Sequence, residues 1–311
     1  MSGRRDRMEG GDAMREEDAM DRVLARGGDV VRVLAGRFPQ LYVAPAEGAQ
    51  EAHRLASGRG IAPAGATLDH FATTPRDELR LVDTPAGPVE VVFLERRADF
   101  ETFLQIVGNK SRPVPILRAV GAITYRGLPD WAKVAAARAA WLEAGGTDWQ
   151  AEFSRLAREP GAFRSEIVVI SEGPYSNVPA SETPYDEAAW TAVSREIRLY
   201  HECAHVVCRR RLPQDILPVW DEVTADVVGL LRATGGYDAS LAARFLGVTP
   251  DGYAAGRLEE YLSEGQAAHV DAVSREVHAA LLRIEALCGE AGADDPFGLL
   301  LRLKAEPFVA Y

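Results

Sequence analysis

The chain has 311 residues, 47% of them hydrophobic, with 35 Lys+Arg against 46 Asp+Glu and a formal net charge of −11. This is ample apolar material for one large domain or two modest ones, and it excludes both a mini-protein and a long repeat array. An acidic surface without a large Lys/Arg cluster beyond the N-terminus repels phosphate backbones, so nucleic acid is not an expected partner.

In chain order, residues 1–20 are dense in charge and glycine, carry no amphipathic stripe, and are expected to be disordered. They also lack the apolar core of a secretory signal, and nowhere do 18 apolar residues run consecutively, so no membrane span is expected. Residues 21–35 place Val23, Val30, Val31 and Leu34 near helical spacing, interrupted at Gly27-Gly28, and predict a first helix. Residues 44–88 are rich in Pro, Gly and Ala and predict loops with short elements. Val89–Leu94 (VEVVFL) predicts a buried strand, 98–107 a helix, and 114–125 one or two strands. A helix over 128–144, stopped by Gly145-Gly146, and a short one over 149–158 follow. Residues 167–170 (IVVI) predict a strand that turns at Gly173-Pro174-Tyr175-Ser176-Asn177.

From Pro184 onward the pattern is helix after helix. Thr183 is the expected N-cap of the first, with Asp186 and Glu187 in its opening turn, Arg209 to Arg211 at its end and Pro213 closing it. Further helices are expected from Pro218 to Gly235-Gly236, over 239–246, over 258–288 with a break near Gly265, and over 296–304. The expected architecture is α+β, a mixed α/β half over 21–183 and an all-helical half over 184–311. Cys203, Cys208 and Cys288 are few, odd in number and free of any CxxC pair, which points away from disulfides and towards a reducing cytoplasm.

The first helix of the helical half contains His201-Glu202-Cys203-Ala204-His205, an HExxH motif. Positions i and i+4 share a helix face one turn apart, so the two imidazoles can converge on one metal ion. Glu202, turned toward the neighbouring face, can hold a metal-bound water without ligating. Trp190, Ile197, Ala204 and Cys208 put apolar bulk along much the same side, which turns the motif toward the core. A motif this short also arises by chance, and a second feature decides.

Glu222 stands 17 positions after His205, past a helix end, Pro213, Pro218 and a new helix start. Such a connection lets the second helix fold back and bring Glu222 to the histidines. Two His and one Glu form a set that catalytic zinc takes while keeping one position for water. Asp226, one turn beyond Glu222, is placed to accept the spare ring N–H of a ligand histidine. Gly229 continues the stripe, where a missing side chain permits close helix approach. Cys203 and Cys208 read as packing residues.

HExxH at 201–205 followed by ExxxD at 222–226 resembles the gluzincin, thermolysin-like branch of the zinc metallopeptidases. The likeness is strong across these two motifs and holds only in kind for the later helices. It implies a zincin-like fold and one Zn²⁺ held by His201, His205 and Glu222, with Glu202 as general base and Asp226 behind a ligand histidine. In zincins an edge strand over the site helix pairs with extended substrate. Residues 167–170 are its expected counterpart here, with Tyr175 and Asn177 as substrate contacts. Cys208 and Arg211 stand where the metzincin pattern needs Gly and a third His, and the inverted HxxEH motif is absent. With no secretory signal and no recognisable propeptide, the chain looks most like a bacterial cytoplasmic member of the zincins.

The function so implied is cleavage of peptide bonds by a zinc-bound water that Glu202 activates, with Glu202 then passing the proton to the leaving nitrogen. No donor for the developing oxyanion stands between His205 and Glu222, so it is expected further along, among Tyr253, Arg257, Tyr261, His269 and His278. Tyr261 is preferred, with Arg257 a turn before it as a further substrate contact. The expected partner is a peptide or protein substrate. Two other readings stay open: a zinc-stabilised binding or regulatory protein without turnover, and an amide hydrolase that tailors a peptide product. The long N-terminal half is expected to hold specificity.

Overall fold

A computed structural model describes residues 21–307 apart from 119, 160, 213–216 and 292–294. The expectations for residues 1–20 and for Pro213 therefore fall outside the described residues.

Five strands form one mixed sheet: β1 (Arg22–Arg26), β2 (Glu78–Val82), β3 (Val89–Leu94), β4 (Ala122–Pro129) and β5 (Arg164–Ser171), in the order β1-β2-β3-β5-β4. β3 and β5 are parallel and the other pairs antiparallel. Between β3 and β5 the chain runs through α3 (Arg97–Val107), β4, α4 (Trp131–Glu143) and α5 (Trp149–Leu156), ample length for a parallel return. Side chains alternate along the two central strands. Val92, Leu94, Ile167 and Val169 face the layer of α1 (Gly28–Arg37) and α3, while Val91, Phe93, Val168 and Ile170 face α6 (Glu187–Arg211) and α7 (Pro218–Thr234).

This two-sided burial is why IVVI is an unbroken apolar run, as in strands covered on both faces. It also corrects the expected place of residues 167–170: β5 lies inside the sheet, and the edges are β1 and β4. The edge strand that reaches the HExxH helix is β4.

The expected first helix over 21–35 is instead two elements. β1 pairs with β2, Gly27 turns the chain at φ 58° with its N–H on the Asp77 carbonyl at 2.9 Å, and α1 begins at Gly28. The region 44–88 contains α2 (Gln50–Arg59) and β2. On α6 the N-cap is Asp186, whose side chain accepts from Ala189 N at 2.8 Å. Thr183 instead follows a 3₁₀ turn (Ala180–Glu182) and donates to the Ala180 carbonyl. α8 (Ala239–Leu246) and α11 (Pro296–Ala305) lie where expected. The stretch over 258–288 is divided into a 3₁₀ turn (Arg257–Tyr261), α9 (Glu264–Ala267) and α10 (Val270–Ala291). No described helix is long and apolar enough to cross a membrane.

The sheet and the helical layers share their core across residue 184. Leu199, Cys203, Val206 and Val207 of α6 and Val228 of α7 pack with Val168 and Ile170, while Trp190, Val223, Val227, Phe245 and Leu281 join α6, α7, α8 and α10. α6 and α7 approach closely at Gly229, where an added Cβ would sit 2.7 Å from the Ile197 carbonyl oxygen. Gly229→Ala is expected to lower stability by about 1–3 kcal/mol, as overpacking of a filled core does. Chemical denaturation of the two proteins measures it, and an unchanged midpoint contradicts the packing described.

Candidate metal centre

α6 and α7 run in opposite directions, so residues ascending one helix meet residues descending the other. His201 faces Asp226, and His205 faces Asp221. Between these pairs lies Glu222, with one carboxylate oxygen 3.4 Å from His201 Nε2 and the other 3.4 Å from His205 Nε2. The two Nε2 atoms are 3.0 Å apart. Potential ligand atoms of His201, His205 and Glu222 all lie within 4.8 Å of one another.

The rings are held from behind. His201 Nδ1 lies 2.8 Å from Asp226 Oδ1, and His205 Nδ1 lies 2.8 Å from Asp221 Oδ2. A carboxylate accepts and does not donate, so each Nδ1 donates to its Asp and each Nε2 is the atom turned to the common centre. With the Nε2 protons released, as metal binding requires, two imidazole nitrogens and one carboxylate form a donor set that fits Zn²⁺.

Electrostatics favour positive charge at that centre. Burial alone would lower the His205 pKa, but the Asp221 and Glu222 carboxylates raise it to about 10. His201 is raised for the same reason, through Asp226 and Glu222 against its own burial. Burial would raise the Glu222 carboxyl, yet the two imidazoles hold it well below the usual carboxylate range.

Asp226 is fully enclosed and triply satisfied. Besides His201, it accepts from the Tyr175 hydroxyl at 2.6 Å and from Arg257 Nη2 at 2.7 Å. Tyr175, expected to meet substrate, is buried, with its ring edge-on to Phe245 at 4.8 Å and its hydroxyl also 2.8 Å from His201 Nδ1. Its hydroxyl is thus committed to orienting the histidine. Arg257, expected as a substrate contact, is committed likewise: its guanidinium is ion-paired with Asp226 and lies 3.7 Å from Glu222.

Glu202 stands apart from the three ligand candidates, and Thr124 of the edge strand β4 donates to its Oε2 at 3.3 Å. Both histidines, Glu202 and Glu222 line a cleft of about 1080 Å³. Val120 and Gly121, just before β4, and Ala122 at its start form part of its wall, as do Ser176 and Asn177. These last two residues adopt left-handed backbone angles, φ 52° and 58°, uncommon for non-glycine residues. Asn177 is exposed at the cleft. The turn that carries them is tied to α6 by the buried Arg198, which donates to the carbonyls of Ser171 at 2.8 Å and Pro174 at 3.3 Å. Burial pushes the Arg198 guanidinium down to about 10.

Of the five oxyanion candidates, Arg257 and Tyr261 line the cleft, whereas Tyr253, His269 and His278 do not. Tyr253 donates to the Gly256 carbonyl at 2.8 Å. Burial raises the pKa of the Tyr261 hydroxyl, so it keeps its proton at the cleft wall. Cys203 and Cys208 are buried thiols within the core, both raised by burial, Cys208 to about 11.

Sequence reasoning missed Asp221, Thr124, Arg198 and Lys304, whose ammonium meets Asp221. Asp221 carried a signal: it precedes Glu222 directly and lies five residues, a little over one turn, before Asp226, so on an antiparallel helix the two acids come opposite His205 and His201.

A family model described as a family of unknown function (DUF7005) matches residues 23–291, and the chain belongs to that family. No curated protein and no solved structure matches it.

Proposed function

We propose that the protein is a zinc-dependent hydrolase of the zincin type, most simply a metallopeptidase. One observation carries the reading: two imidazole Nε2 atoms and the Glu222 carboxylate converge on one point while an Asp holds each Nδ1 at 2.8 Å. Zn²⁺ held by His201, His205 and Glu222 would supply Lewis-acid polarisation and a nucleophile at neutral pH.

The remaining work falls to residues of this chain. Glu202, in the cleft and not among the ligand set, takes a proton during attack and returns it to the leaving nitrogen. Thr124 fixes the orientation of that carboxylate. Tyr261, protonated and at the cleft wall, is placed to donate to the oxygen where charge develops. The free edge of β4 beside Glu202 suits an extended peptide, which would add to the sheet by backbone hydrogen bonds.

A peptide-library digest tests the reading, run with zinc, with a chelator, and with Glu202→Gln. Cleavage only in the first arm supports it; cleavage that survives the chelator or the substitution overturns it. Thr124→Val is expected to lower kcat about 2- to 10-fold, the net worth of one ordinary hydrogen bond, with zinc content unchanged. Steady-state kinetics with metal analysis checks this, and an unaltered kcat removes Thr124 from the account.

A further inference from the structure

Lys304 is one of three lysines in the chain, with Lys110 and Lys133, and its side chain is 1% exposed. Lysines are almost never so buried unless paired. Its partner is Asp221 Oδ1, and the other oxygen of that carboxylate holds His205 Nδ1 at 2.8 Å. The helix that presents Lys304 is fastened to both cores. Phe297 and Leu300 of α11 join the sheet-facing cluster, Leu299 and Leu303 the helical one, and Trp220 Nε1 donates to the Leu303 carbonyl at 2.8 Å. α11 lies beyond residue 291, where the family match ends.

The two histidines are backed in the same manner. His201 leans on Asp226, which is held by Arg257; His205 leans on Asp221, which is held by Lys304. We propose that Lys304 is a positioning residue for the metal centre: through Asp221 it fixes His205, so that the C-terminal helix is a working part of the site. This rests on the metal-centre reading above. Asp221 has a side chain 31% exposed, so without the ammonium it is free to turn toward solvent and leave the His205 ring unanchored. Removing one member of a buried ion pair is costly when the charge left behind stays buried, but Asp221 is part-exposed and keeps solvent or His205 as a partner, so the fold is expected to bear an apolar side chain in the lysine's slot. Metal affinity and fold stability are therefore expected to separate.

The test is Zn²⁺ titration of the full-length metal-free protein against a chromophoric chelator, with thermal unfolding of the same samples. Lys304→Met is expected to weaken zinc binding about tenfold while the unfolding midpoint of the metal-free protein stays put. Lys304→Gln, which keeps an N–H donor for Asp221, is expected to fall between the parent and Lys304→Met. Asp221→Asn and the double variant Asp221→Asn/Lys304→Met are expected to be equally weak, because the two residues act in series. Parent-like affinity in Lys304→Met overturns the proposal, as do additive losses in the double variant. Should Lys304→Met fail to fold, parent-like affinity in Lys304→Gln overturns it instead. A parent chain that binds no zinc removes the metal-centre reading itself, which separates the two failures.

Discussion

Glu202→Gln is expected to bind zinc as tightly as the parent and to lose hydrolysis by about 10²–10⁴-fold, the usual contribution of a positioned general base. The substitution keeps the shape of the side chain and its contact with Thr124, and it leaves untouched the three groups that converge on the metal position. What it removes is a carboxylate able to take a proton and give it back. Steady-state peptide hydrolysis together with zinc content decides the matter. Turnover that persists in Glu202→Gln contradicts the assignment, and absence of turnover in both proteins, with zinc present in both, favours a binding or regulatory protein instead.

The second large effect is expected at Glu222. Glu222→Gln should weaken zinc binding more than a hundredfold, beyond the 10- to 100-fold range typical when only a residue behind a ligand is lost. Two changes act together. The centre loses its anionic ligand, and the Arg257 guanidinium, 3.7 Å from that carboxylate, is left facing a divalent cation without the charge that separates them. Calorimetric or chelator-competition titration reads the affinity, and a loss of less than tenfold is inconsistent with Glu222 as a ligand.

Much of this site could be read from the chain because its geometry is helical. The i, i+4 spacing of His201 and His205 and the return of Glu222 and Asp226 on a second helix depend only on helix periodicity and a short connection. The burial of Gly229 against Ile197 follows from the same stripe. What was hidden depends on tertiary placement. Tyr175 lies in a turn after β5, and nothing local to Gly173-Pro174-Tyr175 says that its hydroxyl reaches a helix buried beneath it. Lys304 is 83 positions from Asp221, and only the docking of α11 brings them together.

The sheet shows the same division. β3 and α3 announce themselves by apolar runs and periodicity, whereas the exposed RVLAR of β1 resembles a helical segment and becomes a strand only by pairing with β2. The misplaced edge strand has a physical lesson. Four consecutive residues without a polar alternation, all fully buried, belong in the interior of a sheet, while the mixed AITYRGLP of β4 has the half-exposed character of an edge.

The central claim, a single zinc held by His201, His205 and Glu222, is tested most directly by elemental analysis of the purified protein beside its His201→Ala/His205→Ala variant. The account predicts one zinc per chain in the parent and none in the variant. No zinc in the parent after exposure to zinc, or equal zinc in both proteins, contradicts it.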